Sequence, residues 1–156
     1  MTTAAPEDEP LDSTLGWVAH HTQRYVETAG DEGHDWNGVP CLVLTTRGRR
    51  SGRLRRNALI YARDGDRYVV VASHGGADHH PLWYLNLVAD PDVTVQVGAT
   101  VMRAVAHTAA ADEKPELWHV MTRLWPDYVS NQAKTKREIP VVVLEPLAGV
   151  PRRGER

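Results

Sequence analysis

Asp64-Gly65-Asp66 joins two β-prone runs at 55–62 and 67–73, with only the four residues 63–66 between them. A connection that short makes a hairpin. It commits the two strands to run antiparallel, since a parallel pair needs a crossover of about a dozen residues or more. Gly98-Ala99 plays the same part between Val93, Val95 and Val97, which alternate with Thr94 and Gln96, and a further run at 100–107. The runs at 40–46, stopped by Gly48, and 140–145 supply the remaining strands. Six short strands joined by hairpins rather than βαβ crossovers point to an α+β chain. Its sheet is expected to be mainly antiparallel and to form a small barrel with peripheral helices. No Gly-x-Gly-x-x-Gly follows a strand, which argues against a Rossmann dinucleotide site.

Helical spacing predicts a first helix over 13–29, capped by Asp12 or Ser13. Leu15, Val18, Ala19, Thr22, Tyr25, Val26 and Ala29 recur on one face, and Gly30 and Gly33 close it. The stretch 31–38 reads as loop. A second helix, 81–89, opens with Pro81. A third, 112–124, is expected to start at an Asp112 cap and to bury Leu117, Val120, Met121 and Leu124. After a break at Pro126, a fourth covers 127–137. The 156 residues then make one domain at 12–150, with disordered tails at 1–11 and 151–156.

A net charge of −2 gives no global attraction to nucleic acid, and no apolar run reaches the ~20 residues that cross a bilayer. The N-terminus lacks a signal-peptide pattern and Cys41 is the sole cysteine, so no intrachain disulfide forms and the cytoplasm is the expected compartment. Five Trp and five Tyr occur with no Phe. That pattern suits rings that must pack and hydrogen-bond at once, or is compositional drift.

Three segments carry chemistry. Residues 45–57 hold Arg47, Arg49, Arg50, Arg53, Arg55 and Arg56 with no acid, plus Ser51, Asn57 and two glycines. Planar guanidiniums on a turn that permits close approach suit a multiply charged anion, although a solvated basic turn or a nucleic-acid backbone would also explain the run. No further dense basic stretch or RNA-reading motif extends that surface, so no nucleic acid is expected. Residues 71–77 end a strand in Val71-Ala72-Ser73-His74-Gly75-Gly76, a turn of small residues that lets a flat ligand lie against exposed amides. Residues 81–91 gather Trp83, Tyr84 and Asn86 near a helix start. His74, His79 and His80 lie close to Asp78, but their spacing matches no metal-ligand pattern, and no metal is expected.

Together these segments resemble the deazaflavin (coenzyme F-420)-dependent nitroreductase family over roughly residues 35–146. The resemblance rests on Leu-Thr-Thr-Arg-Gly-Arg-Arg-Ser-Gly (44–52), Arg-Asp-Gly-Asp-Arg (63–67), Ala-Ser-His-Gly-Gly-Ala (72–77), Pro-Leu-Trp-Tyr-Leu-Asn-Leu (81–87), Asn-Leu-Val-Ala-Asp-Pro-Asp-Val (86–93) and Arg-Glu-Ile-Pro-Val (137–141). It implies a split β-barrel and a cofactor with a deazaflavin ring, a phosphodiester and an oligoglutamate tail. By that resemblance Arg49, Arg50, Ser51, Arg55, Arg56 and Asn57 hold phosphate and tail. Val71, Ala72, Ser73 and His74 line the ring, while Leu82, Trp83, Tyr84, Leu85 and Asn86 pack and orient it. Relatives often carry Lys at the positions of Arg50 and His74. Where they place three tyrosines spaced by three over the substrate, this chain has Trp125, Tyr128 and Asn131.

The implied reaction is hydride transfer from the reduced deazaflavin to a small-molecule acceptor such as a quinone, enone or nitroaromatic, with Tyr128, Ser73 or water returning a proton. FMN in the same barrel is the alternative cofactor, and a non-enzymatic cofactor carrier is the alternative role. A homodimer is compatible with a barrel of this kind.

Overall fold

In a computed structural model of the chain, described over residues 11–12 and 16–147, β3 (Val39–Arg47) is the strand around which the sheet assembles. It pairs antiparallel with β4 (Leu54–Ile60) on one side and with β7 (Asp92–Val97) on the other. β7 turns through Gly98-Ala99 into β8 (Thr100–Thr108), which pairs with β9 (Val141–Pro146). β6 (Arg67–Val71) follows, and the hairpin at Gly65-Asp66 returns it to β5 (Ala62–Asp64). A two-residue strand, β1 (Leu11–Asp12), adds to β4 in parallel, and β2 (Asp35–Trp36) pairs with the start of β3.

The sheet order is β1-β4-β3-β7-β8-β9-β6-β5, so β4 and β5 lie near opposite ends of it. Only Tyr61 joins them in sequence. The expected single strand at 55–62 therefore breaks at Tyr61, which leaves β4 for β5 and curls the sheet round so that its two ends approach. Tyr61 is buried and meets Tyr68 edge-on at 5.6 Å, filling the corner. This is the expected split barrel, with short β1, β2 and β5 added to six principal strands.

Side-chain alternation sorts the core into an inside and an outside. Leu42, Leu44, Val70, Ala72, Val93, Val95, Met102, Ala104, Ala106, Val142 and Leu144 form one interior cluster, closed by Trp83 and Leu87 of α2 (Leu82–Ala89). On the outer face, Cys41 and Val43 pack on Tyr25 of α1 (Gly16–Glu27). Val69, Val71, Val141 and Val143 pack on Leu117 and Met121 of α3 (Lys114–Leu124) and Tyr128 of α4 (Asp127–Ala133). Residues 141–144 are buried on both faces, which is why the sequence there is an unbroken apolar run.

Helix ends differ from the sequence reading. Asp12 lies in β1 rather than capping α1, and Ser13, Leu15 and the tails at 1–10 and 151–156 fall outside the described residues. α1 ends in a Schellman motif: the Gly30 amide donates to Tyr25 O and the Ala29 amide to Val26 O. Glu113, not Asp112, precedes α3, and Pro115 occupies its first turn. α4 stops at Ala133, four residues early, because 134–137 turn away toward the loop after β6. The stretch 31–38 is not all loop. Asn37 and Gly38, both at positive φ, make a two-residue turn between β2 and β3.

Candidate functional site

The basic segment is the β3–β4 hairpin. Its turn is held from within: the Gly48 amide donates to Arg53 O at 2.7 Å, the Gly52 amide to Gly48 O, and the Arg53 amide to Ser51 Oγ. Arg49, Arg50 and Ser51 are left exposed at the tip. On β4, Arg55 opposes Thr46 and Asn57 opposes Leu44, so both share the interior-facing side with Leu59. Arg56 alternates to the other side, with Ala58 and Ile60, facing α1. Among the described residues, no carboxylate lies within ion-pair distance of Arg49, Arg50, Arg53 or Arg55. Arg53 goes further. Its Nε and Nη2 are out of solvent contact with no hydrogen-bond partner among the described residues, a costly state for a guanidinium that an anion would relieve.

α2 ties this hairpin to the loop after β6. Buried Asn86 accepts the Arg49 amide on Oδ1 at 3.2 Å and donates from Nδ2 to the buried Thr46 hydroxyl. Asn86 thus shapes the basic turn through its backbone. Trp83 is core, Leu85 is half-buried and Leu82 is 68% exposed. Tyr84 hydrogen-bonds Thr108 Oγ1 at 2.8 Å and packs on the His80 ring at 4.7 Å. The eight residues of α2 span about 12 Å, which sets the reach from the loop to the basic hairpin.

Beyond Val71 and Ala72, both buried, the chain makes a 3-10 turn at His74–Gly76 with His74, Gly75 and Gly76 all at positive φ. The Ala72 amide is used by Pro140 O, whereas the amides of Ser73, His74 and Gly75 find no acceptor among the described residues. Three successive free donors at a strand end form a cradle for an electron-rich ligand edge. Ser73 Oγ makes no hydrogen bond there either. His74 and His79 meet edge-on at 4.9 Å.

The expected acceptor-side residues lie together on α4 and the turn before it, in different surroundings. Tyr128 is 6% exposed within the outer core, and burial pushes its phenol pKa far above the usual range. Trp125 packs on Trp36 at 5.1 Å, an aromatic pair that the loop reading of 31–38 missed although Asn37-Gly38 signals the hairpin that creates it. Asn131 is half-buried, its backbone pressed on Gly76: a Cβ there would stand 2.8 Å from Asn131 O. Burial raises the Cys41 thiol to about 12, so it is packing rather than a nucleophile. Sequence reasoning named Arg53 only within the basic run and gave Thr46 and Arg137 no role of their own. The last of these sends its guanidinium into the 72–80 loop.

The fold and the unneutralised hairpin define a split-barrel protein with a surface suited to an anionic ligand. The solved structure of an F420-H2 dependent reductase (FDR-A) superimposes with a TM-score of 0.63 at 36% identity, covering 68% of this chain and 94% of that one. Another, described as a domain-swapped dimer, gives 0.66 at 35% identity, covering 85% and 100%. An F420H(2)-dependent quinone reductase of Mycobacterium tuberculosis is 39% identical over 128 residues, 80% of this chain and 86% of its own length. The F420H(2)-dependent quinone reductase family matches residues 17–146, and the chain belongs to that family of deazaflavin-dependent oxidoreductases. The orphaned Arg53 nitrogens and the unneutralised arginines fit its polyanionic cofactor.

Proposed function

We propose that this chain reduces quinones with hydride taken from reduced coenzyme F420. Its phosphate and carboxylates would rest on the β3–β4 hairpin and its ring on the loop after β6. The observation that carries this reading is the unneutralised arginine hairpin joined by one short helix to a row of free amides. Reduced F420 supplies the hydride, chemistry no side chain can offer. The protein's work is placement. Arg49, Arg50, Arg53 and Arg55, with Ser51 and Asn57, bind the anionic end, and Asn86 sets the turn that presents them. The amides of Ser73, His74 and Gly75 orient the ring. The Trp36–Trp125 pair offers a flat acceptor an aromatic wall. Ser73 Oγ is better placed than Tyr128 to pass a proton. The Tyr128 phenol, raised by burial, is a hydrogen-bond donor and a poor acid. A quinone is favoured over nitroaromatics and enones because the curated relatives reduce quinones by name.

The test is turnover of reduced F420 with a simple quinone, followed by return of the oxidised coenzyme's absorbance. Arg55→Ala should raise the cofactor KM about tenfold with little change in kcat. Turnover with reduced FMN and none with reduced F420 would sink the assignment. We also read the protein as a cytoplasmic homodimer. Leu82 and Val88 of α2 are 68% and 59% exposed, a solved relative is described as a domain-swapped dimer, and light scattering at twice the chain mass would support it.

A further inference from the structure

Arg137 lies beyond the end of α4 and reaches back to the loop that follows β6. Its Nε donates to Ala77 O at 2.7 Å and its Nη2 to Ser73 O at 2.8 Å. Its Nη1 donates to Ala72 O at 3.3 Å and to His80 Nδ1 at 3.0 Å. One planar fork thus satisfies four acceptors spread over nine residues of loop. The residue is held from behind: Gln132 Nε2 donates to Arg137 O at 2.8 Å while Gln132 Oε1 accepts the Ile139 amide.

Two consequences follow from the donor count. Taking the carbonyls of Ala72 and Ser73 fixes the peptide planes there, and the amides that remain unclaimed are those of Ser73, His74 and Gly75. His80 must accept on Nδ1, so it is neutral with its proton on Nε2. In that state its ring packs on Tyr84, whose hydroxyl is tied to Thr108. We infer that Arg137 is the positioning residue of the cofactor-ring site: its guanidinium orients the 72–80 loop so that the free amides face the ring and Tyr84 is held beside it. The inference rests on the F420 reading above. Lysine would not replace it, because a point charge cannot reach four dispersed acceptors in one plane.

The experiment compares the full chain with Arg137→Gln and Arg137→Lys. Three readouts are taken: amide hydrogen exchange without cofactor, affinity for oxidised F420 by fluorescence, and KM and kcat for reduced F420 and for menadione. We expect exchange at Gly76 and Ala77, whose amides donate to Ser73 O and His74 O, to rise about tenfold in both variants while β3, β7 and β8 keep their protection. The F420 Kd and the KM for reduced F420 should each rise about tenfold, with the menadione KM changed less than about twofold. Methylguanidinium should partly restore cofactor affinity to Arg137→Gln. Should that variant not fold, Arg137→Lys retains the charge and carries the comparison. An unchanged Kd in a folded variant, full rescue by lysine, or uniform loss of protection across the sheet would overturn the inference. Wild-type protein that fails to bind F420 defeats the functional reading instead, and loop exchange still judges the clamp.

Discussion

Ala29 sits at φ +53, where a Cβ crowds the following carbonyl, because the Schellman turn that ends α1 requires a left-handed residue at this position. The side chain is exposed and the turn would be satisfied as well by glycine. Ala29→Gly should therefore stabilise the protein by about 0.5–1 kcal/mol, read as a higher denaturant midpoint at unchanged m-value. Sequence reading placed glycine at 30 and 33 as the stop and missed that the strained residue is an alanine, since strain is a property of φ rather than of composition. Asn86 presents a different situation, a polar side chain legible as part of a motif whose partners within the protein the sequence did not show. Its amide accepts from the Arg49 backbone and donates to the Thr46 hydroxyl. Asn86→Ala leaves the buried Thr46 hydroxyl without that donor and is expected to cost about 1–3 kcal/mol, measured by urea unfolding. The same variant should weaken F420 binding, because Asn86 holds the Arg49 backbone in the basic turn. Asn86→Asp, which keeps the acceptor and loses the donor, should fall between the two.

At the level of elements, α4 and the 3-10 turn after β6 meet through Gly76, which has no room for a methyl group against Asn131 and carries φ +86. Gly76→Ala should displace α4, cost more than about 2 kcal/mol and impair activity through the loop rather than through the barrel core. Calorimetry gives the first quantity and hydrogen exchange locates the second. If the loss were spread evenly through β7 and β8, the contact would not be the local joint described here. The strands were the most legible elements, because alternation and tight turns are written locally in 93–97, 98–99 and 64–66. β2 was legible too, in Asn37-Gly38, yet two residues of strand carry no periodicity. The break at Tyr61 left no trace, because 55–62 holds no Gly or Pro to mark it and only the closing of the sheet makes the strand change neighbours.

For the whole molecule, acid should destabilise in two stages. Burial, with Arg137 adding to it, holds His80 below its usual 6.5. The unfolded chain therefore binds that proton first, and stability is complete above about 6.5 and declines as pH falls through the lowered folded value. Burial works against the charged form of Glu113, but hydrogen bonds from His107 and Arg67 outweigh it and keep its pKa below 4.5. That contribution is present above 4.5 and lost as pH drops through the folded value. Unfolding midpoints measured across this range should lose the upper step in His80→Gln and the lower one in Glu113→Gln. Ligand binding adds a separate electrostatic test. F420 affinity should fall with added salt, and Arg49→Gln should flatten that dependence, because the exposed guanidinium at the tip of the turn attracts anions through a screened field.

By itself, the sequence determined the antiparallel barrel, the arginine hairpin and the small-residue turn, because hydrophobic alternation, turn chemistry and uncompensated charge are local properties that neighbouring residues record. Tertiary structure decided which arginines share a face, which polar groups are spent on the protein and which remain for a ligand. Arg55 and Asn57 look inward while Arg56 looks toward α1. Asn86 and Arg137 lie 37 and about 60 to 65 residues from the groups they hold. Hydrogen-bond partners at such separations are fixed only when the sheet curls and its two ends approach, and no local pattern encodes that distance.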